Sequence, residues 1–224
     1  RIWAVATGAD LKVDDANMPP PVEVISNVGG GSKSSSAKKE GTGDYTGGQE
    51  AIALMTPAKG FEVGLFADEK RFPELVNPVQ MSVDPKGRLW VAAWKTYPMW
   101  RPGDVMDDRL LILPADNRDG VADRCVTFAR VHNPTGFEFW NGGVLVASAP
   151  DVLFLKDTDG DDVADVCVRL LQGIEAADTH HAANGFAYGP DGGMYWQRGV
   201  FIVENVETPW GPARPSSATG MYRF

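Results

Sequence analysis

Two copies of one acidic turn, spaced 42 residues apart, constrain this chain more than any other feature. The second copy lies in VLFLKDTDGDDVADVCVRLL, residues 152–171. An apolar run leads in, a dense acidic turn follows, and a second apolar run leads out. Asp157, Asp159, Asp161 and Asp165 stand at turn positions 1, 3, 5 and 9. Carboxylates this close repel one another unless a cation sits between them, and alternating oxygen ligands suit a hard ion such as calcium. The flanks are short and rich in Val, Leu and Phe, so they are expected as strands. Position 6 is Asp162 where an EF-hand has Gly, and position 12 is Val168 where it has Glu. The unit is therefore a strand–turn–strand and not an EF-hand.

The first copy is LLILPADNRDGVADRCVTFAR, residues 110–130. Asn117, Asp119 and Asp123 precede Asp159, Asp161 and Asp165 by the same 42 residues, as Cys125 precedes Cys167. Ala115 stands where Asp157 stands, so this copy lacks one ligand. A period of this length built from short strands is that of a β-propeller blade.

The rest of the sequence fits blades. Residues 79–83, the turn Asp84-Pro85-Lys86-Gly87 and residues 88–93 form an expected hairpin. Residues 136–140, Asn141-Gly142-Gly143 and 144–147 form the next, followed by strands at 152–155 and 166–171 around the acidic turn. A further blade opens at 185–188, with strands expected at 194–196, 201–206 and 220–224. Residues 61–66 alternate as a half-buried strand would, and 50–55 are expected as a short helix ended before Pro57. The expected fold is all-β: about two complete four-stranded blades and part of a third. Since propellers close with about four to eight blades, further blades are expected from the rest of a longer protein or from another chain. A smaller β-sandwich is the alternative. Residues 1–28 are expected as a short β segment, read as the tail of a preceding domain; 29–49, rich in Gly, Ser and Lys, as a flexible linker; and 50–224 as the propeller part.

Charge narrows the function. Net charge is −9 over 224 residues, and no basic stripe exists to neutralise phosphates, which argues against nucleic acid. No apolar run approaches the roughly 18 residues of a membrane-spanning helix. Two cysteines make no disulfide framework, and both are expected as free, packed thiols.

The second candidate site is Asp178-Thr179-His180-His181-Ala182-Ala183-Asn184-Gly185, in the loop leading into the third blade. His181 there can serve as general base with Asp178 fixing its tautomer. A His that only caps the loop is the structural alternative, and zinc lacks a third ligand at suitable spacing. No G-x-S-x-G, P-loop or dinucleotide fingerprint is present. Tyr97 and Trp100 lie in an aromatic loop where they either stack sugars or pack, while Trp90 and Trp140 are expected in the core.

The segments RFPELVNPVQMSVDPKGRLWVAAWKTYP, PTGFEFWNGGVLVASAPDVLFLKDTDGDDVADV, ADTHHAANGFAYGPDGGMYW and VETPWGP resemble the large membrane-bound or secreted dehydrogenases of planctomycetes and verrucomicrobia. Those are similar to the soluble quinoprotein (PQQ-dependent) glucose and aldose sugar dehydrogenases. The resemblance covers roughly residues 50–224. It implies a six-bladed propeller, periplasmic or secreted, with PQQ and calcium as cofactors. It also implies a sugar or related alcohol as substrate, and electron transfer to an acceptor such as a c-type cytochrome or a haem c domain outside this chain. The base of those enzymes stands eight residues before the Gly of a Gly-Pro-Asp turn, a position held here by His181 before Gly189-Pro190-Asp191. His180 and Asn184 of the same loop become candidate cofactor contacts. Gly185 stands where those enzymes tend to carry Arg, and no C-x-x-C-H haem motif occurs. Two other readings stand beside this one: a non-catalytic propeller binding glycan or protein, and a metal-dependent lactonase-type hydrolase.

Overall fold

The computed structural model describes residues 47–98, 103, 105–175, 181–199, 205–213 and 220–223. The chain divides into two units, Arg1–Tyr45 and Thr46–Phe224, and the described residues all belong to the second. The segment expected at 1–28, most of the expected linker, Trp100, Asp178, His180 and the start of the strand expected at 201–206 lie outside them.

The fold is almost entirely antiparallel β. Among the described residues the helix is α1 (Gly48–Ala53), which starts two residues earlier than expected, so Gly48 and Gln49 belong to it and not to the linker. The first sheet runs β1 (Pro78–Val83), β2 (Leu89–Ala93), β3 (Arg109–Leu113) and β4 (Val126–Arg130), in that spatial order. The second repeats the meander with β5 (Pro134–Trp140), β6 (Gly143–Ser148), β7 (Asp151–Lys156) and β8 (Val166–Leu171). The third begins with β9 (Asn184–Tyr188) and β10 (Met194–Arg198). A two-stranded ribbon follows, β11 (Glu207–Thr208) with β12 (Gly211–Pro212). Then β13 (Gly220–Arg223) pairs with β10. Glu207 also bridges back to Gln172, just past the end of β8.

The apolar runs are continuous because the middle strands are covered on both faces. Successive side chains on a strand point to opposite sides. Trp90 and Ala92 of β2, with Leu110 and Ile112 of β3, therefore pack towards Phe137, Val144, Val146 and Leu155 of the second sheet. Val91, Ala93, Leu111 and Leu113 point the other way, onto Phe66, Phe72 and Leu75 of the leading segment. The second sheet is sandwiched likewise, sending Leu145, Ala147 and Val152 towards Phe186, Met194 and Trp196 of the third. Trp90 is buried as expected, while Trp140 is only half-buried against Phe154.

Residues 61–66 do not form the expected strand. Apolar alternation needs a partner ladder to become a strand, and here the backbone bonds among the described residues are a local turn bond from Phe61 N–H to Ala58 C=O at 3.0 Å and one long-range bond from Ala122 N–H to Phe66 C=O at 2.9 Å. Phe66 still packs on the first sheet, whereas Phe61 is exposed.

The first strands of the three sheets sit side by side. β5 packs against both β1 and β9. Gln80 of β1 grips β5 with its side-chain amide: Nε2 donates to Phe137 C=O at 2.9 Å, and Oε1 accepts Phe137 N–H at 2.6 Å. Gly136 leaves room for this, since a Cβ there would lie 3.2 Å from Gln80 Oε1 and 3.3 Å from Asn184 Cα. Each meander thus has two ends. One carries the loops that link sheet to sheet and second strand to third. The other carries the hairpins from first strand to second and third to fourth.

Candidate functional site

The acidic turns occupy the hairpin end. In the second sheet, Asp157, Asp159 and Asp165 each offer a carboxylate oxygen within 4.8 Å of the others. The turn builds itself around Asp157. Its Oδ1 accepts Asp159 N–H at 3.1 Å and Gly160 N–H at 2.7 Å, and its Oδ2 accepts Asp162 N–H at 2.9 Å. The Gly160 bond is the main reason that its acidity is raised, its pKa lying below the usual carboxylate range. Asp165 accepts Thr158 N–H at 3.1 Å and the Thr158 hydroxyl. Asp161 does not join the three converging carboxylates; its Oδ1 accepts Val163 N–H at 2.8 Å and shapes the exit of the turn. Three converging carboxylates fit a calcium ion by charge and by donor type.

The first copy folds the same way with different residues. Positive φ falls at Arg118 and Gly120 in the first turn and at Gly160 and Asp162 in the second, matching positions 4 and 6 of both. Glycine has exchanged places between the copies while the backbone stayed the same. Where Asp157 accepts Gly160 N–H, the first copy uses the Ala115 carbonyl, which accepts Arg118 N–H at 3.1 Å. Asn117 Nδ2 donates to Asp119 at 2.9 Å, and Asp123 accepts Asp116 N–H at 2.6 Å. Asn117 is thus spent on holding Asp119, and the first turn brings no three carboxylates together among the described residues.

Beside the second turn lies a cavity of about 630 Å³ between the first and second sheets. Trp90, Phe128, Phe139 and Trp140 line it with Arg88 and the Asp157–Gly160 part of the turn. Asp84 anchors one wall. Burial alone would raise its pKa, yet bonds from Arg88 N–H, Trp90 Nε1–H and the Arg88 guanidinium hold it low. Arg88 Nε lies 2.8 Å from Asp84 Oδ2.

His181 and Asn184 occupy the opposite, sheet-linking end. His181 is half-buried in the loop leading into β9, and its carbonyl accepts Gly199 N–H at 3.1 Å. A Cβ at Gly199 would come within 2.1 Å of that carbonyl oxygen, so the close approach requires glycine. Asn184 opens β9 opposite Gln197. Asp178 and His180, expected to join His181, lie outside the described residues. The same end holds a residue that motif reading passed over. His132 stands four residues before Gly136, as His181 stands four before Gly185. Its Nδ1 lies 3.8 Å from Oδ2 of the buried Asp108. A lone His beside Asn-Pro carries no motif; its signal was the match in offset to the next sheet.

The cysteines are free in both turn-flanking positions, but only one is packed. Cys125 is half-buried against the first sheet, and burial, with Glu74 nearby, pushes its thiol up to about 11. Cys167 is exposed, contrary to expectation, because β8 is an outer strand with an open face.

Residues 48–223 match the family described as a domain of unknown function (DUF7133), and the chain belongs to that family. No curated protein matches it. Among solved structures, it is similar to an X-ray structure of a protein designated a gluconolactonase, at 15% identity and a TM-score of 0.40. That match covers 63% of this chain and 49% of the other, so the chain spans about half the length of that structure.

Proposed function

We propose that this chain supplies the leading blades of a β-propeller whose sheet-linking end oxidises a hydroxyl of a sugar or related alcohol, with His181 as general base. The observation that carries the reading is the placement of His181. It stands in the loop ahead of an innermost strand, its main chain pinned to Gly199, at the end where the first strands of three stacked sheets converge. An imidazole whose main chain is held at a point shared by several sheets is a suitable base for a substrate lying across them.

The exposed apolar side chains of β1, at the edge of the first sheet's outer face, support further blades. Phe66, Leu75, Val79, Met81, Leu89 and Val91 contribute to an apolar groove of about 490 Å³ there, with Met81 71% exposed. A neighbouring blade would cover this surface as the second sheet covers the other face. Calcium in the Asp157–Asp159–Asp165 turn would stabilise the blade from the hairpin end, away from the chemistry. A periplasmic or secreted location agrees with that use of calcium.

The electron acceptor in this reading is a quinone of the PQQ type, passing electrons to a c-type haem. The residues present do not by themselves fit that group. Its carboxylates need several cations, and Arg198, which ends β10 beside Gly199, is fully buried. No step is therefore derived through the quinone, and the remaining contacts would come from further blades. The test is dye reduction by the longest purified form of the protein, with PQQ, calcium and a panel of aldoses. Sugar-dependent reduction is expected. Its absence in a folded, complete propeller would refute the oxidation reading.

A further inference from the structure

We infer that the cavity between the first and second sheets, at the hairpin end, is a binding site for a neutral saccharide, separate from the end that carries His181. The inference stands apart from the oxidation reading, which concerns the opposite end of the meanders. The cavity's volume, about 630 Å³, falls within the roughly 300–1,000 Å³ of small-molecule sites. Its walls are braced before any ligand arrives. Arg88 reaches from the first sheet to Asp162 of the second while holding Asp84. The Tyr188 hydroxyl donates to the Phe139 carbonyl at 2.7 Å, tying the third sheet to the second. A braced cleft loses little freedom when a ligand enters.

The lining selects the ligand. Its apolar surface is aromatic: Trp90 and Phe139 meet edge to face at 5.3 Å, Trp140 is half-buried and Tyr188 is 51% exposed. An aromatic face is electron-rich and attracts the partly positive C–H face of a pyranose ring. Polar groups of both kinds stand among the rings. Among the described residues, no hydrogen bond takes up the Trp140 indole N–H, the Asn141 amide or the Lys86 ammonium. Asp159 gives Oδ1 to Asp161 N–H at 3.2 Å and keeps Oδ2 open. An organic cation would meet the Lys86 ammonium, and an anion the Asp159 carboxylate. The neutral Trp140 and Asn141 groups add directional bonds that charge pairing does not need. A polyhydroxyl ligand with an apolar face uses the donors, the acceptor and the rings together.

The experiment is calorimetric titration of the full chain with glucose, galactose, mannose, xylose, cellobiose, lactose and maltose, with calcium present throughout. Choline, glycine betaine and inorganic phosphate serve as cationic, zwitterionic and anionic probes. Hydrogen-exchange mass spectrometry then locates the bound sugar. At least one saccharide is expected to bind with a Kd of about 1 mM or tighter and to protect residues 84–90 and 139–143. Trp140→Ala and Lys86→Ala are each expected to weaken it about tenfold. Absence of saccharide binding, protection confined to residues 181–199, or binding of the charged probes in place of the sugars overturns the inference. Should Trp140→Ala fail to fold, Lys86→Ala and the wild-type exchange pattern decide. Protection here without dye reduction defeats the oxidation reading alone, and dye reduction without protection here defeats this inference alone.

Discussion

Arg88 Nη1 lies 2.6 Å from Asp162 Oδ1, joining the first hairpin of one sheet to the acidic turn of the next. The same guanidinium holds the buried Asp84, so one side chain ties two sheets together at the hairpin end. Asp162 sits at φ 65°, where glycine is the easy choice. Its side chain explains why an aspartate is there. Replacing Arg88 with Ala is expected to destabilise the fold by about 3 kcal/mol, because Asp84 loses its partner in a buried setting. Asp162→Gly relieves the backbone while losing the pair, so its cost is expected to stay below about 1 kcal/mol. Denaturant melts of the two variants check this; equal losses would contradict it.

Much of this was legible beforehand. The 42-residue offset carried the two meanders, and the strand at 166–171 has the bounds expected of it. What the sequence hid was pairing in space. Residues 61–66 alternate like a strand but meet no ladder. Cys167 reads like Cys125, yet it lies on an outer strand with an open face. His132 and Asp108 are 24 residues apart in the chain, and no local pattern announces that the turn after Thr96 folds a carboxylate behind that ring.

Calcium is expected to raise the melting temperature by several degrees, as any ligand that binds the folded state alone must. Asp159→Asn is expected to abolish most of that shift, and Asp119→Asn little of it, since only the second turn gathers three carboxylates. Melts with calcium and with EDTA check this. Equal effects at the two turns would contradict the assignment.

The thiols should part company under alkylation. At mildly alkaline pH, Cys167 is expected to react at least about tenfold faster than Cys125, whose thiol is held up near 11 by burial. Mass spectrometry of iodoacetamide-treated protein reads the two rates directly.

Asp191 gives an acid signature. Its carboxylate accepts bonds from Arg223 Nε at 2.8 Å, Tyr195 Oη at 2.9 Å and Gly193 N–H at 3.2 Å. The Arg223 bond is the largest cause, followed by Tyr195, and together they bring its pKa down from 3.8 to about 2. A depressed folded pKa contributes stability that is present above the unfolded value and lost as pH falls through the folded one. Wild type is therefore expected to lose stability between about pH 4 and pH 2 more steeply than Asp191→Asn. Parallel melting curves across that window would contradict the assignment.

The proposal stands most directly on His181. Sugar-dependent dye reduction should be compared between wild type and His181→Gln in the complete protein, with circular dichroism confirming that both are folded. A loss of at least about 100-fold in kcat is the expected result. Full turnover in the folded variant would contradict the assignment of His181 as the base.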